Sequence, residues 1–217
     1  MNFVKTPFLF SITVSTLGVF FVPLTDAQVI GGGEGWSIRG TDPIRIFYGD
    51  KHVTSYESGY DEGKPFFYPI NGPTGENMTL HWPMKEEFEV EARDHIHHRG
   101  MWYGLGNVNG FDFWHYAGDE KKRDKPFGVI QHKGMNGVKM SKDDLVFRTR
   151  SEWLSHADPT QRILSDKREF RLFYDAKGSL LFDITITLVA DAGDVTINDD
   201  KEGAWSIRTI PTLRLEG

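Results

Sequence analysis

The sequence contains no cysteine among its 217 residues. This absence excludes disulfide bonds, thiolate metal sites, a cysteine nucleophile and the lipid-modified cysteine of a lipoprotein. Because no covalent cross-link is available, the folded chain must be held together by its hydrophobic core.

The chain also lacks a strong bias of charge, since its formal net charge is only −6. No stripe of lysine and arginine interleaved with aromatic residues runs along it. The short basic run Lys121-Lys122-Arg123 lies between acidic residues and is typical of a solvated loop. This pattern predicts that the protein has no nucleic-acid partner.

Long hydrophobic runs are missing after the N-terminus. The run over residues 8–24 follows Lys5, is rich in Ser and Thr, and ends at Thr25-Asp26-Ala27, which resembles a cleavage site. A membrane anchor needs roughly 20 apolar residues. We therefore expect residues 1–27 to be a signal peptide and the mature protein to be secreted or periplasmic, with no membrane span after signal cleavage.

Helical periodicity is scarce, and alternation with period two dominates instead. In residues 145–153 the side chains of Leu145, Phe147 and Trp153 fall on one face, opposite Arg148 and Arg150. Similar runs occur about every 10–15 residues, separated by Gly/Asp turns. The pattern predicts an all-β fold, an antiparallel β-sandwich.

Further segments complete the predicted organisation. Residues 44–48, 168–174, 180–190, 195–197, 205–208 and 210–217 are predicted strands, whereas two prolines place residues 64–70 at a sheet edge or in an extended loop. We assign residues 1–27 to the signal peptide, 28–63 to an N-terminal segment with the first strand, and 64–217 to the sandwich. Because the last strand has no natural finish, we expect the sandwich to be incomplete at the C-terminus.

The stretch from Asp94 to His115 has the composition of a functional site. It contains four of the eight histidines and two of the six tryptophans. At neutral pH, histidine can carry or release a proton or bind a metal ion. Arginine and the edges of Trp and Tyr give hydrogen bonds of fixed geometry. If the segment is extended, the side chains of His95, His97 and Arg99 point to one face.

Several motifs together resemble a known family. They are Lys64-Pro65-Phe66-Phe67-Tyr68-Pro69-Ile70, Gly72-Pro73-Thr74-Gly75, Trp82-Pro83-Met84, Asp94-His95-Ile96-His97-His98-Arg99-Gly100, Val108-Asn109-Gly110-Phe111-Asp112-Phe113-Trp114, Gly128-Val129-Ile130-Gln131-His132 and Lys201-Glu202-Gly203. In this order, over roughly residues 64–208, they closely resemble a secreted bacterial family labelled "methane oxygenase PmoA". Ile96 stands where this family is expected to have proline.

The resemblance carries its own implications. It implies a galactose-mutarotase-like β-sandwich, a connection with carbohydrate metabolism, and a further C-terminal segment rich in Trp, His and Asn that this sequence lacks. The label refers to a copper enzyme whose namesake subunit spans the membrane many times. Since this chain has no such spans, we regard the label as a misnomer.

The leading functional hypothesis is an enzyme that acts on a carbohydrate or oxidised sugar glycoside by acid–base chemistry, as a lyase, hydrolase or epimerase. No cofactor is required, and the substrate is a small molecule or an oligosaccharide. The candidate catalytic residues are His97, His98, Arg99, Asp94 and Glu202. The candidate substrate-binding residues are Trp102, Asn109, Asp112, Trp114 and His132.

Two alternatives remain open. In the first, His95 and His97 bind a divalent metal together with His132 or His115, and the enzyme resembles an oxygenase. The glutamate that usually follows a His-x-His pair is missing, and Arg99 beside the pair disfavours a dication. In the second, the protein is a non-catalytic carbohydrate-binding module. The sequence does not indicate an oligomeric state.

Overall fold

A computed structural model describes residues 29–58, 61, 63–88, 91–118 and 124–215. The predicted signal peptide and the basic run at residues 121–123 lie outside these described residues. Within them, no helix is long and apolar enough to cross a membrane.

The described chain forms two antiparallel sheets. The larger has the strand order β1 (Val29–Gly31), β2 (Trp36–Arg39), β3 (Ile44–Tyr48), β4 (Lys51–Glu57), β5 (Phe66–Ile70), β6 (Met101–Tyr103) and β11 (Trp205–Ile207). The smaller has the order β10 (Leu180–Val189), β9 (Arg162–Tyr174), β8 (Asp144–Ser155) and β7 (Gly128–Met140). The predicted all-β antiparallel sandwich is confirmed.

The hydrophobic core lies between the sheets. Strand β8 buries Leu145, Phe147 and Trp153, with Thr149 and Ser151 on the same face, and turns Arg148 and Arg150 outward, as its alternation predicts. The ring of Phe147 lies 6.4 Å from that of Phe67 in the larger sheet. Burying each such side chain contributes about 1.5–3 kcal/mol, which explains how the chain folds without disulfides.

The proline-containing segment over residues 64–70 does not lie at a sheet edge. It forms β5, which pairs with β4 on one side and β6 on the other. The pairing with β6 reaches only Phe66 and Phe67, so Pro69 lies beyond it and no donor is missing from that ladder. The prediction is wrong because proline excludes only the hydrogen-bonded part of a strand.

Two C-terminal predictions are also wrong. The described part of the predicted strand 210–217, residues 210–215, contains a single 3₁₀ turn, Pro211–Leu213, because proline at the first helical position favours a turn. Residues 195–197 form only an isolated bridge between Ile197 and Val108.

The predicted N-terminal segment, residues 28–63, contains four strands rather than one. Strands β4 and β5, on either side of the predicted boundary, are hydrogen-bonded neighbours.

Candidate functional site

The histidine-rich stretch is a turn rather than a strand. His95 has a positive φ of 43°, and the backbone N–H of His98 donates to the carbonyl of His95 at 2.8 Å. The prediction that His95, His97 and Arg99 share one face of an extended strand is therefore wrong. A left-handed residue interrupts the alternation on which that prediction depends.

The turn brings three histidine rings together, and a fourth joins them from residues 112–116. His98 stacks on His95 with 4.8 Å between centroids and packs edge-on to His97 at 4.4 Å. The buried ring of His97 in turn lies 4.2 Å from that of His115. Four imidazoles thus form one continuous row of ring contacts.

His115 is held by a buried carboxylate. Its Nδ1 lies 2.8 Å from Oδ2 of Asp112, and Oδ1 of Asp112 accepts the backbone N–H groups of Trp114 and His115. Burial would raise the pKa of Asp112, but these hydrogen bonds and the charge of His115 outweigh it, so the pKa is lowered. An ionised carboxylate only accepts hydrogen bonds, which places the proton of His115 on Nδ1.

This pair forms part of the wall of a cavity of about 350 Å³. The cavity is lined by Asp112, His115, Asp124, Lys125, Asp200, Lys201 and Glu202. Nζ of Lys201 lies 3.2 Å from Oε1 of Glu202, and Lys125 pairs with Asp200. An oriented imidazole, several carboxylates and two ammonium groups therefore face one small volume, and two of the predicted site residues, Asp112 and Glu202, are among them.

His98 is less suited to proton exchange. Its ring lies between His95 and Trp102, 4.8 Å from the centroid of each. Burial, with smaller effects from the charges of His95 and Arg208, lowers the pKa of His98 to about 3. A base with such a pKa is almost never protonated near neutral pH, which makes it a poor general acid there.

Trp102 and Trp114 are 2% and 3% exposed, so neither offers an open face for a sugar ring. They pack against each other with 5.3 Å between centroids, and Phe66 and Tyr68 belong to the same cluster. Both indoles contact His98. Their role in this structure is to support the histidine row.

Arg99 and Asp94 contact different groups. The Arg99 guanidinium packs 5.0 Å from the centroid of Tyr116, and burial lowers its pKa. Asp94 accepts hydrogen bonds from His95 at 2.7 Å and from Arg208. Burial opposes the shift, but the hydrogen bonds from Arg208 and His95 lower the pKa of Asp94 to about 2. Neither residue lines the cavity.

Asn109 and His132 have other surroundings. Asn109 is exposed. Its side-chain Nδ2 donates a hydrogen bond to the carbonyl oxygen of Asp194 at 2.8 Å, and its Oδ1 accepts one from the backbone N–H of Thr196 at 2.7 Å. His132, on β7, contacts the ring of Tyr56, and burial lowers its pKa to about 4.

The alternative metal set His95, His97 and His132 is not assembled, since His132 shares no ring contact with the other two. Over the part of the chain that the structure describes, no group of three or more His, Asp or Glu side chains is arranged to hold a metal ion.

Several site residues are not predicted from the sequence. Lys125 and Asp200 join at the cavity from positions 75 residues apart, which no local pattern indicates. The sequence motifs suggest His115 only as a metal ligand. The aspartate three residues before it could have indicated a histidine–carboxylate pair. A second pair, His81 and Glu91, lies outside the cavity with Nδ1 and Oε1 2.7 Å apart.

The fold and the site define a class of protein, namely a β-sandwich with an oriented histidine–carboxylate pair at a polar cavity. The chain belongs to DUF6807, a family of unknown function whose sequence model matches residues 44–216. No curated protein and no solved structure matches the chain.

Proposed function

We propose that the protein is a secreted or periplasmic enzyme that performs acid–base chemistry on a carbohydrate, with His115 as the proton-transfer group. The observation that carries this proposal is the 2.8 Å contact between His115 Nδ1 and Asp112 Oδ2 at the wall of the cavity. Because Nδ1 is occupied by Asp112, Nε2 is the nitrogen that exchanges a proton with a ligand.

The proposed reaction class is proton abstraction from a sugar carbon beside a carbonyl. His115 Nε2 takes the proton, and the electron pair moves to the carbonyl oxygen as an enolate. The ammonium groups of Lys125 and Lys201 stabilise that charge. Protonation of the opposite face of the carbon by water, with release of the His115 proton to solvent, gives an epimer. Departure of the group on the next carbon, whose leaving oxygen takes the proton held by His115 beside Glu202, gives elimination.

Two observations support a sugar as the substrate. The residues lining the cavity are all polar, which suits a ligand that carries many hydroxyl groups. The sequence motifs also resemble a secreted family that accompanies sugar-converting enzymes. Asp112 in this proposal orients His115, which revises its predicted role in substrate binding, and the ring of His97 packs against that of His115.

The test is deuterium exchange at the carbon beside the carbonyl, followed by proton NMR in heavy water. A panel of 3-keto and unoxidised glycosides is incubated with wild type and with His115→Asn. We expect wild type to exchange or cleave at least one keto glycoside and His115→Asn to be slower by about 10²–10⁴-fold.

Asp112→Asn should also be slow, because it no longer fixes the tautomer of His115. His156→Asn changes an exposed histidine that does not line this cavity and serves as the matched control. Retention of full activity by His115→Asn contradicts the proposal. Parallel reactions with a chelator distinguish it from a metal-dependent reaction, and binding of a glycoside without exchange or cleavage indicates a carbohydrate-binding module.

A further inference from the structure

The solvent face of the four-stranded sheet carries charges in cross-strand rows. In one row Arg148 on β8 lies opposite Glu169 on β9, and its Nε donates to Oε2 of Glu169 at 2.6 Å. Near the end of the sheet Arg171 donates to Asp144 at 2.8 Å. Cations on this face are thus generally placed where an acidic side chain can pair with them.

One row of this face contains two cations and no acidic side chain. Arg150 on β8 and Lys167 on β9 are directly opposite each other, and both side chains are exposed. Among the described residues neither makes an ion pair or a hydrogen bond through its side chain. Directly opposed like charges destabilise a sheet, so this pair opposes folding without a compensating contact.

On neither side of this row does a neighbouring strand place an acidic side chain beside the two cations. Arg150 pairs across β7 with Gly134, which has no side chain, and Lys167 pairs across β10 with Thr187. Beside it lies a shallow depression of about 250 Å³ whose polar side chains include Asn136, Arg148, Lys167, Glu169, Thr185 and Thr187. Two threonine hydroxyls and one asparagine amide therefore line the same depression as Lys167, which lies opposite Arg150.

We propose that the surface formed by Arg150, Lys167, Thr185, Thr187 and Asn136 binds an anionic polysaccharide. The two cations would pair with a sulfate or carboxylate group of one sugar unit. The threonine hydroxyls and the asparagine amide would bind the hydroxyls of that unit or of its neighbour, because hydroxyl and amide groups both donate and accept hydrogen bonds.

The size of the basic surface favours a polysaccharide over a nucleic acid. Duplex DNA carries one charge for about every 1.7 Å of its axis and requires a broad basic surface. Here acidic side chains border the two cations, since Glu152 and Glu169 occupy the adjacent rows. A chain with about one acidic group per sugar fits such an isolated pair of cations.

This surface is separate from the cavity at Asp112 and His115, and no residue lines both. The proposal therefore holds whether or not that cavity is catalytic. In this proposal, the face of the four-stranded sheet attaches the protein to an acidic polysaccharide.

The experiment compares wild type with the double variant Arg150→Gln/Lys167→Gln. Binding to immobilised heparin, polygalacturonate and neutral dextran is measured at low and at physiological ionic strength. We expect wild type to bind at least one of the two acidic polymers, with an affinity that falls as salt is added. The double variant should bind that polymer about tenfold more weakly, and neither protein should bind dextran.

The matched control is Lys51→Gln/Lys177→Gln, which removes the same charge from exposed positions elsewhere on the fold. Urea unfolding of all three proteins gives a second measurement. The Arg150→Gln/Lys167→Gln variant should be at least as stable as wild type, because the repulsion between the two cations is gone, so weaker binding cannot be due to unfolding.

Three results would overturn the proposal. The first is wild type that binds neither acidic polymer, and the second is the control variant losing affinity as much as the test variant. The third is duplex DNA binding through the same pair at least as tightly as the acidic polymers do.

Discussion

The imidazole of His98 stacks on the indole of Trp102, with 4.8 Å between the ring centroids and 24° between their planes. The ring of His95 lies against His98 at the same centroid distance. These contacts partly bury His98, and this burial lowers its pKa from 6.5 to about 3. The folded protein keeps the imidazole neutral under conditions in which the unfolded chain protonates it.

This difference predicts a loss of stability in mild acid. Below pH 6.5 the unfolded chain binds a proton at His98, while the folded state does not until about pH 3. The contribution of His98 is therefore fully present above pH 6.5 and is lost as the pH falls. One such group changes the free energy of unfolding by at most about 1.4 kcal/mol per pH unit.

Urea unfolding between about pH 7 and about pH 4 measures this dependence. We expect His98→Gln to show a shallower loss of stability than wild type, and His156→Gln, which changes an exposed histidine, to retain the wild-type slope. Part of the slope should persist in His98→Gln because burial also lowers the pKa of His132, to about 4. Identical slopes for wild type and His98→Gln would contradict the prediction.

Gly100 predicts a second, purely steric effect. It has φ +54°, and a Cβ at this position would lie 2.0 Å from the carbonyl oxygen of Phe67. Gly100→Ala should therefore destabilise the protein by at least about 2 kcal/mol, measured by urea unfolding. Gly137→Ala is the control, since its nearest neighbour is a flexible Arg148 side chain at 3.8 Å. Similar losses in both variants would show that the clash does not matter.

The sandwich is predictable from the sequence because strand alternation follows burial directly. In β8 the residues that alternate as apolar are the buried ones, and β10 alternates likewise between half-buried and exposed positions. Segment 64–70 is mispredicted because the length of the neighbouring strand β6, not β5 itself, decides whether Pro69 is tolerated. The length of β6 cannot be deduced from the residues near Pro69 in the sequence.

The candidate site is predictable only in part. The composition of residues 94–115 correctly draws attention to the histidine cluster, but the left-handed backbone of His95 changes which rings meet. The cavity depends on Lys125 and Glu202, which approach Asp112 and His115 only through the packing of loops far apart in sequence. The sequence motifs therefore include Asp112 and Glu202 as candidates but do not predict that they share one cavity.

A buried ion pair in β9 gives a third prediction. Arg168 Nη2 lies 2.6 Å from Asp166 Oδ2, and Trp153 Nε1 donates to the same oxygen at 2.8 Å. Arg168→Met leaves the Asp166 carboxylate buried with one neutral donor, which should destabilise the protein by about 3–5 kcal/mol. The double variant Asp166→Asn/Arg168→Met removes both charges and should regain part of that loss in urea unfolding. A double variant that is less stable than Arg168→Met would contradict this account.

The clamp between Arg208 and Asp94 gives the last prediction. Arg208 donates to the carboxylate of Asp94 and to its backbone carbonyl, and with His95 it lowers the pKa of Asp94 from 3.8 to about 2. Arg208→Gln should move this pKa back toward 3.8, which a carbon-detected NMR titration of the carboxyl group measures directly. Arg93→Gln is the matched control, because it removes a charge next to Asp94 in sequence from a guanidinium that packs over Trp82 instead.

The same clamp stabilises the turn that carries the histidines, and its side-chain hydrogen bond is stronger when Asp94 is ionised. Its contribution to stability is present above about pH 3.8 and is lost as the pH falls toward 2. An unchanged Asp94 pKa in Arg208→Gln would mean that His95 alone holds the carboxylate. In that case His95→Gln, and not Arg208→Gln, should raise the Asp94 pKa.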